Sequence, residues 1–585
     1  MVTTFGVNNT PTLAYQPSHL ISDTPPRGLL QIDYIFNGGM QLAGRIVIMS
    51  KFRPYERGQE MLIGYCVEDF VEADALCRHI VREVEKMDLR ELCSGYSFQG
   101  HASYHPAPML AIWILAYSEG ITSSRVVESR CQRDMYYIYA SANQRPDHCS
   151  LARFRQRHKS DFPELFARVI AAAAQNQLSK FERIHIDGTK LHANASRAQG
   201  RKQADLEAEL RRVRADIADY LARCDAEDAR QENAGPEDPG DPPSPPPADP
   251  LGALEQTAAK LEAAEQELKA RQAKLKAEQR KDHQINLTDP ECRNMSPVNQ
   301  LKGAPAYNAV AAVDAESKLI TGIRVVNQGN DYGQFSAMHQ QSEAHLGVDE
   351  ARLHCADGGF HTLEELAYLQ AHDIDAVIND PAPGQRSPCS RTFPAVPKGD
   401  KPFTRSHFTY DPEEDVYRCP GKQVLHRVKT RNSHGRKAGV YQSPDCMGCA
   451  LRARCIKRAA DAAAARQISR DDEEHLAEAM YAKATSEEGQ ARLAERMSCV
   501  EGVFGHLKAN IGFRRFSLRG LSAVQGEFAL LALAYNLKRI WQLDRRRTGN
   551  KLRLWSAGRW ARAFKALSSA NCSARTINPQ PLALR

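Results

Sequence analysis

Two acids in this chain close apolar runs in the same way. Asp187 ends ERIHID and is followed by GTK; Asp357 ends RLHCAD and is followed by GGF. Carboxylates at the carboxyl ends of neighbouring strands converge at the edge of an open sheet, and a following glycine lets other groups approach closely. A third acid, Glu501, lies beside the apolar stripe Met497, Val500, Phe504, Leu507 and Ile511 of a late helix. Three carboxylates suit a hard divalent cation, Mg²⁺ or Mn²⁺, which takes oxygen ligands and keeps some water. Two such ions ~4 Å apart can activate a nucleophile and stabilise the leaving oxygen of a phosphodiester.

A second set is sulfur. Cys419 in RCPGK precedes Cys446, Cys449 and Cys455 in CMGCALRARC, a C-x26-C-x2-C-x5-C spacing. A CxxC places two thiolates on one turn, which suits tetrahedral Zn²⁺. A structural zinc is the reading taken; free thiols and an iron–sulfur or redox role are the alternatives. Cys355 and Cys499, each beside one of the acids, read as small core residues. His185, His192, His354 and His506 also fall near the acids. None has ligand spacing to another histidine, so they read as structural residues or weak DNA contacts.

The elements that must position these groups follow from periodicity and punctuation. Residues 1–48, rich in Gly, Pro and Asn, read as a leader whose order the composition leaves open. Residues 49–180 read as an all-helical domain suited to DNA binding. Asp147 and Ser150 there are candidate helix caps, and Arg153, Arg155 and Arg157 make the following helix basic enough for phosphate contact. Residues 181–200 supply a first core strand. Residues 201–285 carry two heptad-patterned segments around EDPGDPPSPPPADP, which cannot be helical, and predict a helical hairpin with a Pro-rich loop. Its apolar seam serves equally an intramolecular pairing or a dimer contact. Residues 286–380 predict two hairpin strands, a helix, the RLHCAD strand, a helix and a further strand. Residues 381–484 read as a loop-rich insertion holding the four cysteines. Residues 485–541 return to helix with Glu501, and 542–585 form a basic tail.

The chain has 585 residues, 25% of them charged, and a net charge of only +7. That excludes a histone-like polycation and leaves a nucleic-acid enzyme open. The basic residues are concentrated late: residues 502–585 hold sixteen Lys and Arg, including Lys508, Arg514, Arg515 and Arg519, against Glu527 and Asp544. No apolar stretch reaches the ~18 residues of a membrane span. Fifteen scattered cysteines and no signal-peptide pattern point to a reducing compartment.

In order, the elements run strand–Asp, two strands, helix, strand–Asp, helix, strand, helix–Glu. That is the order of an RNase H-like α/β core, a mixed sheet with flanking helices. From about Met49 to about Trp541 the chain resembles the DDE transposases of bacterial insertion sequences. The resemblance rests on YHPAPMLAIWILAYSEGITSSRVVE with RPDHCSLARFRQRH, on IDGTKLHANAS, INLTDPECRNM, YNAVAAVD and NQGNDYGQF, and on ADGGFHTLEEL and ERMSCVEGVFGHLKANIGFRRFSLRG. It implies that Asp187, Asp357 and Glu501 bind two Mg²⁺ ions and that Lys508 holds a DNA phosphate. The activity implied is cleavage at the element's ends followed by strand transfer. The implied partners are double-stranded DNA, as terminal inverted repeats and target, and a second copy of the chain in a homodimer or higher oligomer. The implied location is the bacterial cytoplasm, at the nucleoid. A related signature with Tyr and Arg before the Glu meets Ala494 and Met497 here, and Arg496 is one residue off. The competing readings are a non-catalytic DNA-binding protein derived from a transposase and a metal-dependent nuclease without strand transfer.

Overall fold

A computed structural model describes residues 29–32, 46–49 and most of 66–548, with breaks of which the largest is 234–248. The Pro-rich hairpin loop, most of the leader and most of the basic tail lie outside the described residues.

Two short strands, β1 (Leu29–Ile32) and β2 (Ile46–Met49), pair antiparallel. A helical block follows: α1 (Leu76–Lys86), α2 (Arg90–Ser94), α3 (Pro106–Ser118), α4 (Ser124–Arg133), α5 (Met135–Ala140), α6 (His148–Arg157) and α7 (Phe162–Gln175). Helix α3 is apolar on every side and buried along its whole length, so it forms the centre of the block. Its first residue is Pro106, whose missing N–H costs nothing at that position. Asp147 caps α6 by accepting from the Ser150 backbone N–H at 2.9 Å; Ser150 itself lies inside the helix.

The central sheet is mixed. Strand β3 (Arg183–His192) leads through β4 (Gly200–Arg201) into α8 (Gln203–Asn233) and α9 (Pro250–Ala273), and the chain returns as β5 (Ile285–Asn286), which pairs with β4. Leu206, Leu210 and Val213 of α8 pack on Ala258, Leu261, Ala264 and Leu268 of α9. The heptad seam therefore closes within the chain. Strands β6 (Arg293–Met295), β7 (Ala304–Asp314) and β8 (Ile320–Val326) follow, then α10 (Phe335–Leu346), β9 (Leu353–Ala356), α11 (Leu363–Ala371) and β10 (Ala376–Ile378). The sheet order is β10-β9-β3-β7-β6, with β8 also on β7. Pairings of β3 with β9 and of β9 with β10 are parallel; the rest are antiparallel. Strand β7 is mostly apolar, broken by Asn308, because it is buried on both faces.

Residues 381–484, read from composition as loop-rich, instead contain a five-stranded antiparallel sheet: β11 (Thr409–Asp411), β12 (Val416–Arg418), β13 (Val424–Ser433), β14 (Arg436–Gln442) and β15 (Gln467–Asp471). Lysines and arginines on β13 and β14 mask the alternation, while Tyr410, Tyr417 and Tyr441 fill the core from the other face. A single turn of helix, α12 (Arg452–Cys455), carries the last of the four cysteines. The chain then forms α13 (Glu474–Thr485), α14 (Glu487–Gly505), a π-helical turn (His506–Asn510) and α15 (Leu521–Thr548). Phe528 to Ala534 of α15 are wholly buried, and α15 packs on α3, α7 and β8. It thereby joins the helical block to the central sheet. No described helix is long and apolar enough to cross a membrane.

Candidate active site

The register of β3 on β9 builds the site. Their parallel pairing ends at Ile186 with Ala356, so Asp187 and Asp357 are the next residue on each strand and lie side by side. Sequence punctuation suggests that the first strand stops at Asp187. It does not: β3 continues to His192 against β7, and only its pairing with β9 ends there. Asp187 is thus held by a continuous strand at the point where the sheet opens.

Both carboxyls are pushed up from their ordinary values, first by burial. Asp187 rises to about 6, with the charge of Asp357 adding to the rise and Arg496 opposing it. Asp357 rises in the same direction, opposed by Arg496 and by the Gly359 N–H, and raised further by Asp331. Asp357 also accepts from that Gly359 N–H at 2.9 Å, which fixes its rotamer.

Helix α14 closes over this pair. Arg496 donates from Nη1 to Asp187 Oδ2 at 2.9 Å, while Met497 next to it points to solvent at 52% exposure. The arginine facing the acids is therefore Arg496, displaced by one position from where the related signature looks for it. Lys508, in the π-helical turn, donates to the Thr189 hydroxyl of β3, two residues beyond Asp187. Glu501 is exposed on α14, five residues past Arg496, and has no hydrogen bond or ion pair among the described residues. The structure brings Asp187, Asp357, Arg496 and Lys508 together and leaves Glu501 unpaired at the surface of the same helix.

One acid was missed by sequence reading. Asp331, in NQGNDYGQF between β8 and α10, reaches the same place. Asn308 Nδ2 donates to Asp331 Oδ1 at 2.6 Å, and Lys190 Nζ stands 3.9 Å from that oxygen. A Cβ on Gly188 would lie 2.1 Å from Asp331 Oδ1 and 3.2 Å from Asn308 Oδ1, so any side chain there would displace the Asp331 carboxylate from beside Asp187. A Cβ on Gly359 would lie 3.1 Å from the other Asp331 oxygen. Asn308 is wholly buried and its Oδ1 has no partner. Its amide cannot be flipped, because Nδ2 faces two oxygens, Asp331 Oδ1 and the Asn330 carbonyl. The only sequence signal for Asp331 was its place in a polar loop between two core elements.

The basic residues divide by burial. Arg514, Arg515 and Arg519 are exposed on a segment that runs along the end of β3, where His192 N–H donates to the Arg514 carbonyl and Phe516 N–H to the His192 carbonyl. Arg153 and Arg157 are exposed on α6, Arg157 stacking over Tyr96 at 4.5 Å. Arg155 is corrected: it is buried, lies 4.0 Å over the Trp113 ring and donates to Tyr117 Oη and Ser517 Oγ. No face of that guanidinium is left for a phosphate.

The four sulfurs gather at one end of the β11–β15 sheet. Gly421 lies against both Cys449 and Cys419, with its Cβ position 3.0 and 3.5 Å from their sulfurs, and the Gln423 N–H donates to Cys419 Sγ at 3.2 Å. Burial raises the Cys419 and Cys455 thiols; Cys446 and Cys449 add to both rises, and Cys419 adds to that of Cys455. No three of these sulfurs lie within 4.8 Å of one another; among the described residues that closeness belongs to His339, Glu343 and His354. Cys355 and Cys499 are buried.

Two family matches agree with this layout. Residues 65–157, the helical block, match a transposase domain (DUF772). Residues 418–541 match a transposase DDE domain; that segment contains the four cysteines, Glu501 and Lys508 and stops short of Asp187, Asp331 and Asp357. No curated protein matches the chain. The chain thus carries, in two segments that together span less than half of it, a transposase domain and a transposase DDE domain of the insertion-element type, the second implying an enzyme of the polynucleotidyl-transferase class.

Proposed function

We propose that the chain cuts DNA at the ends of a mobile element and joins the freed strand to a target, on an RNase H-like core whose acids are Asp187, Asp357 and Glu501. The observation that carries this reading is the β3–β9 register, which sets Asp187 beside Asp357 where the sheet opens. The residues present fit a divalent cation: half-buried carboxylates, a glycine that lets the Asp331 carboxylate approach them, and the unpartnered Asn308 oxygen. Bound there, Mg²⁺ or Mn²⁺ supplies Lewis acidity and a nucleophile formed at neutral pH.

The chain's own residues do the rest. Arg496 balances the two aspartates in the unliganded protein. Lys508, beside Thr189, is placed to hold a phosphate, and Arg514, Arg515, Arg519, Arg153 and Arg157 extend a basic surface for the duplex. Glu501, unpaired, is the acid free to turn toward the pair when DNA is bound. Asp331 is proposed as a further acid of the site. Asp331→Asn is expected to slow cleavage by about tenfold or more, the scale of lost supporting contacts at metal sites, with no fall in melting temperature. Unchanged cleavage would make Asp331 a structural partner of Asn308 and Lys190 only.

The cysteine set is read as a structural zinc site that would draw the four sulfurs closer. Assembly as a dimer or higher oligomer on DNA would use surfaces other than the α8–α9 seam, which is consumed within the chain.

The test is a reaction of the chain with a labelled duplex carrying an element end, Mg²⁺ and a target plasmid. Cleaved and joined products are expected. Cleavage without joining would identify a nuclease, and binding without cleavage a DNA-binding protein.

A further inference from the structure

The sequence offers His354 no ligand partner, and the fold gives it two. Helix α10 presents His339 and Glu343 four residues apart, one turn of the same face. Strand β9 presents His354 opposite them, and one ligand atom from each of the three lies within 4.8 Å of the others. We propose that His339, Glu343 and His354 form a metal site for Zn²⁺ or a similar borderline cation, separate from the aspartate centre.

Each ligand is prepared from behind. His354 Nδ1 faces the Arg352 carbonyl at 3.2 Å, and His339 Nδ1 faces Tyr368 Oη at 3.1 Å. A ring whose Nδ1–H is spent on such a partner carries its lone pair on Nε2, the arrangement in which histidine binds metal. Glu343 Oε2 is held by Arg352, which leaves Oε1 free. That Oε1 and His354 Nε2 stand 3.7 Å apart, too far for a hydrogen bond, and neither has a partner. Two buried polar atoms left facing each other are costly unless something sits between them. Two imidazoles and one carboxylate are a zinc ligand set that leaves a fourth position for water. Arg352 does not fill the gap, because its contact is with the other carboxylate oxygen.

The location gives the site a purpose. A metal there would tie α10 to β9, and through Tyr368 to α11. Those elements carry Asp357 at the end of β9 and Asp331 just before α10. The cation would brace the strand that presents the acid, without touching substrate.

The test compares the full chain with His339→Ala and Glu343→Gln; His339 is half-buried, so its variant is the one less exposed to misfolding. Metal content after purification in zinc, and melting temperature against added Zn²⁺ and EDTA, are both read. The cysteine cluster is common to all three proteins, so it cancels in the comparison. The expected result is loss of about one equivalent of zinc per chain and of the zinc-dependent rise in melting temperature in both variants. Equal zinc content and equal melting shifts in all three proteins would overturn the proposal. So would a wild type that binds none.

Discussion

Asp187→Asn is expected to leave a folded protein that cuts element-end DNA about a thousandfold more slowly or worse, the scale seen when one member of a unit that acts together is removed. The substitution keeps the shape and removes the charge that would bind a cation. It should also separate activity from stability. Burial, reinforced by Asp357 and opposed by Arg496, raises the Asp187 carboxyl from 3.8 to about 6 in the folded chain. The folded state therefore holds that proton more tightly than the unfolded chain does. In metal-free buffer the wild type loses stability from this group as pH rises from about 4 to about 6, and asparagine does not. Above pH ~6 the variant should be at least as stable as the wild type, with a difference of a few kcal/mol at most. Thermal denaturation in EDTA across that range, beside a cleavage assay at neutral pH, reads both effects. A variant that is inactive because it is unfolded would show the opposite sign.

The second large effect is structural and lies far from the acids. Glu527→Ala is expected to destabilise the protein by about 3 kcal/mol or more, the scale for leaving several buried donors without their charged acceptor. Glu527 of α15 is buried and accepts from Tyr117 Oη at 2.8 Å and from the Ser517 and Leu518 backbone N–H groups, each at 2.9 Å. Arg155 Nη1 closes the network on Tyr117 Oη at 2.9 Å and Ser517 Oγ at 3.0 Å. Without the carboxylate, several buried donors lose their acceptor, including the Tyr117 and Ser517 hydroxyls that Arg155 also holds. This network fastens α3 and α6 to α15 and to the segment bearing Arg514 and Arg515, so its loss should loosen the helical block from the sheet. Urea denaturation is the measurement. Arg155→Ala should weaken stability in the same way and couple non-additively with Glu527→Ala. In the folded fraction its DNA affinity should match the wild type, whereas Arg153→Ala should bind more weakly.

How much was legible varies with what the residues do locally. Asp187 and Asp357 stand out in the sequence because each interrupts an apolar run before glycine, and a buried strand leaves that pattern. Asp331 leaves none: its loop is polar throughout, and its approach to Gly188 is created by β7 and β8, which place Asn308 beneath it. Arg155 looked like its exposed neighbours because periodicity on a short helix does not show that Trp113 and Tyr117 of α3 would cover it. The β11–β15 sheet was hidden by Arg, Lys, Pro and Cys, which composition reads as loop although Tyr410, Tyr417 and Tyr441, one on each of three strands, supply the core. The His339–Glu343–His354 group required the sheet itself, since fifteen residues separate its first and last members. The intramolecular closure of α8 on α9 was one of two pairings the heptads allowed, and only the packing of Leu206 and Leu210 on Leu261 and Leu268 decides between them.

On the proposed mechanism Asp187 and Asp357 act as one centre. Single-turnover cleavage of an element-end duplex in Mg²⁺ by Asp187→Asn, Asp357→Asn and the double variant tests it most directly. One centre predicts that the double variant is no slower than the slower single variant, because the first loss already disables the unit. Losses that multiply, or cleavage near the wild-type rate in either single variant, would contradict it.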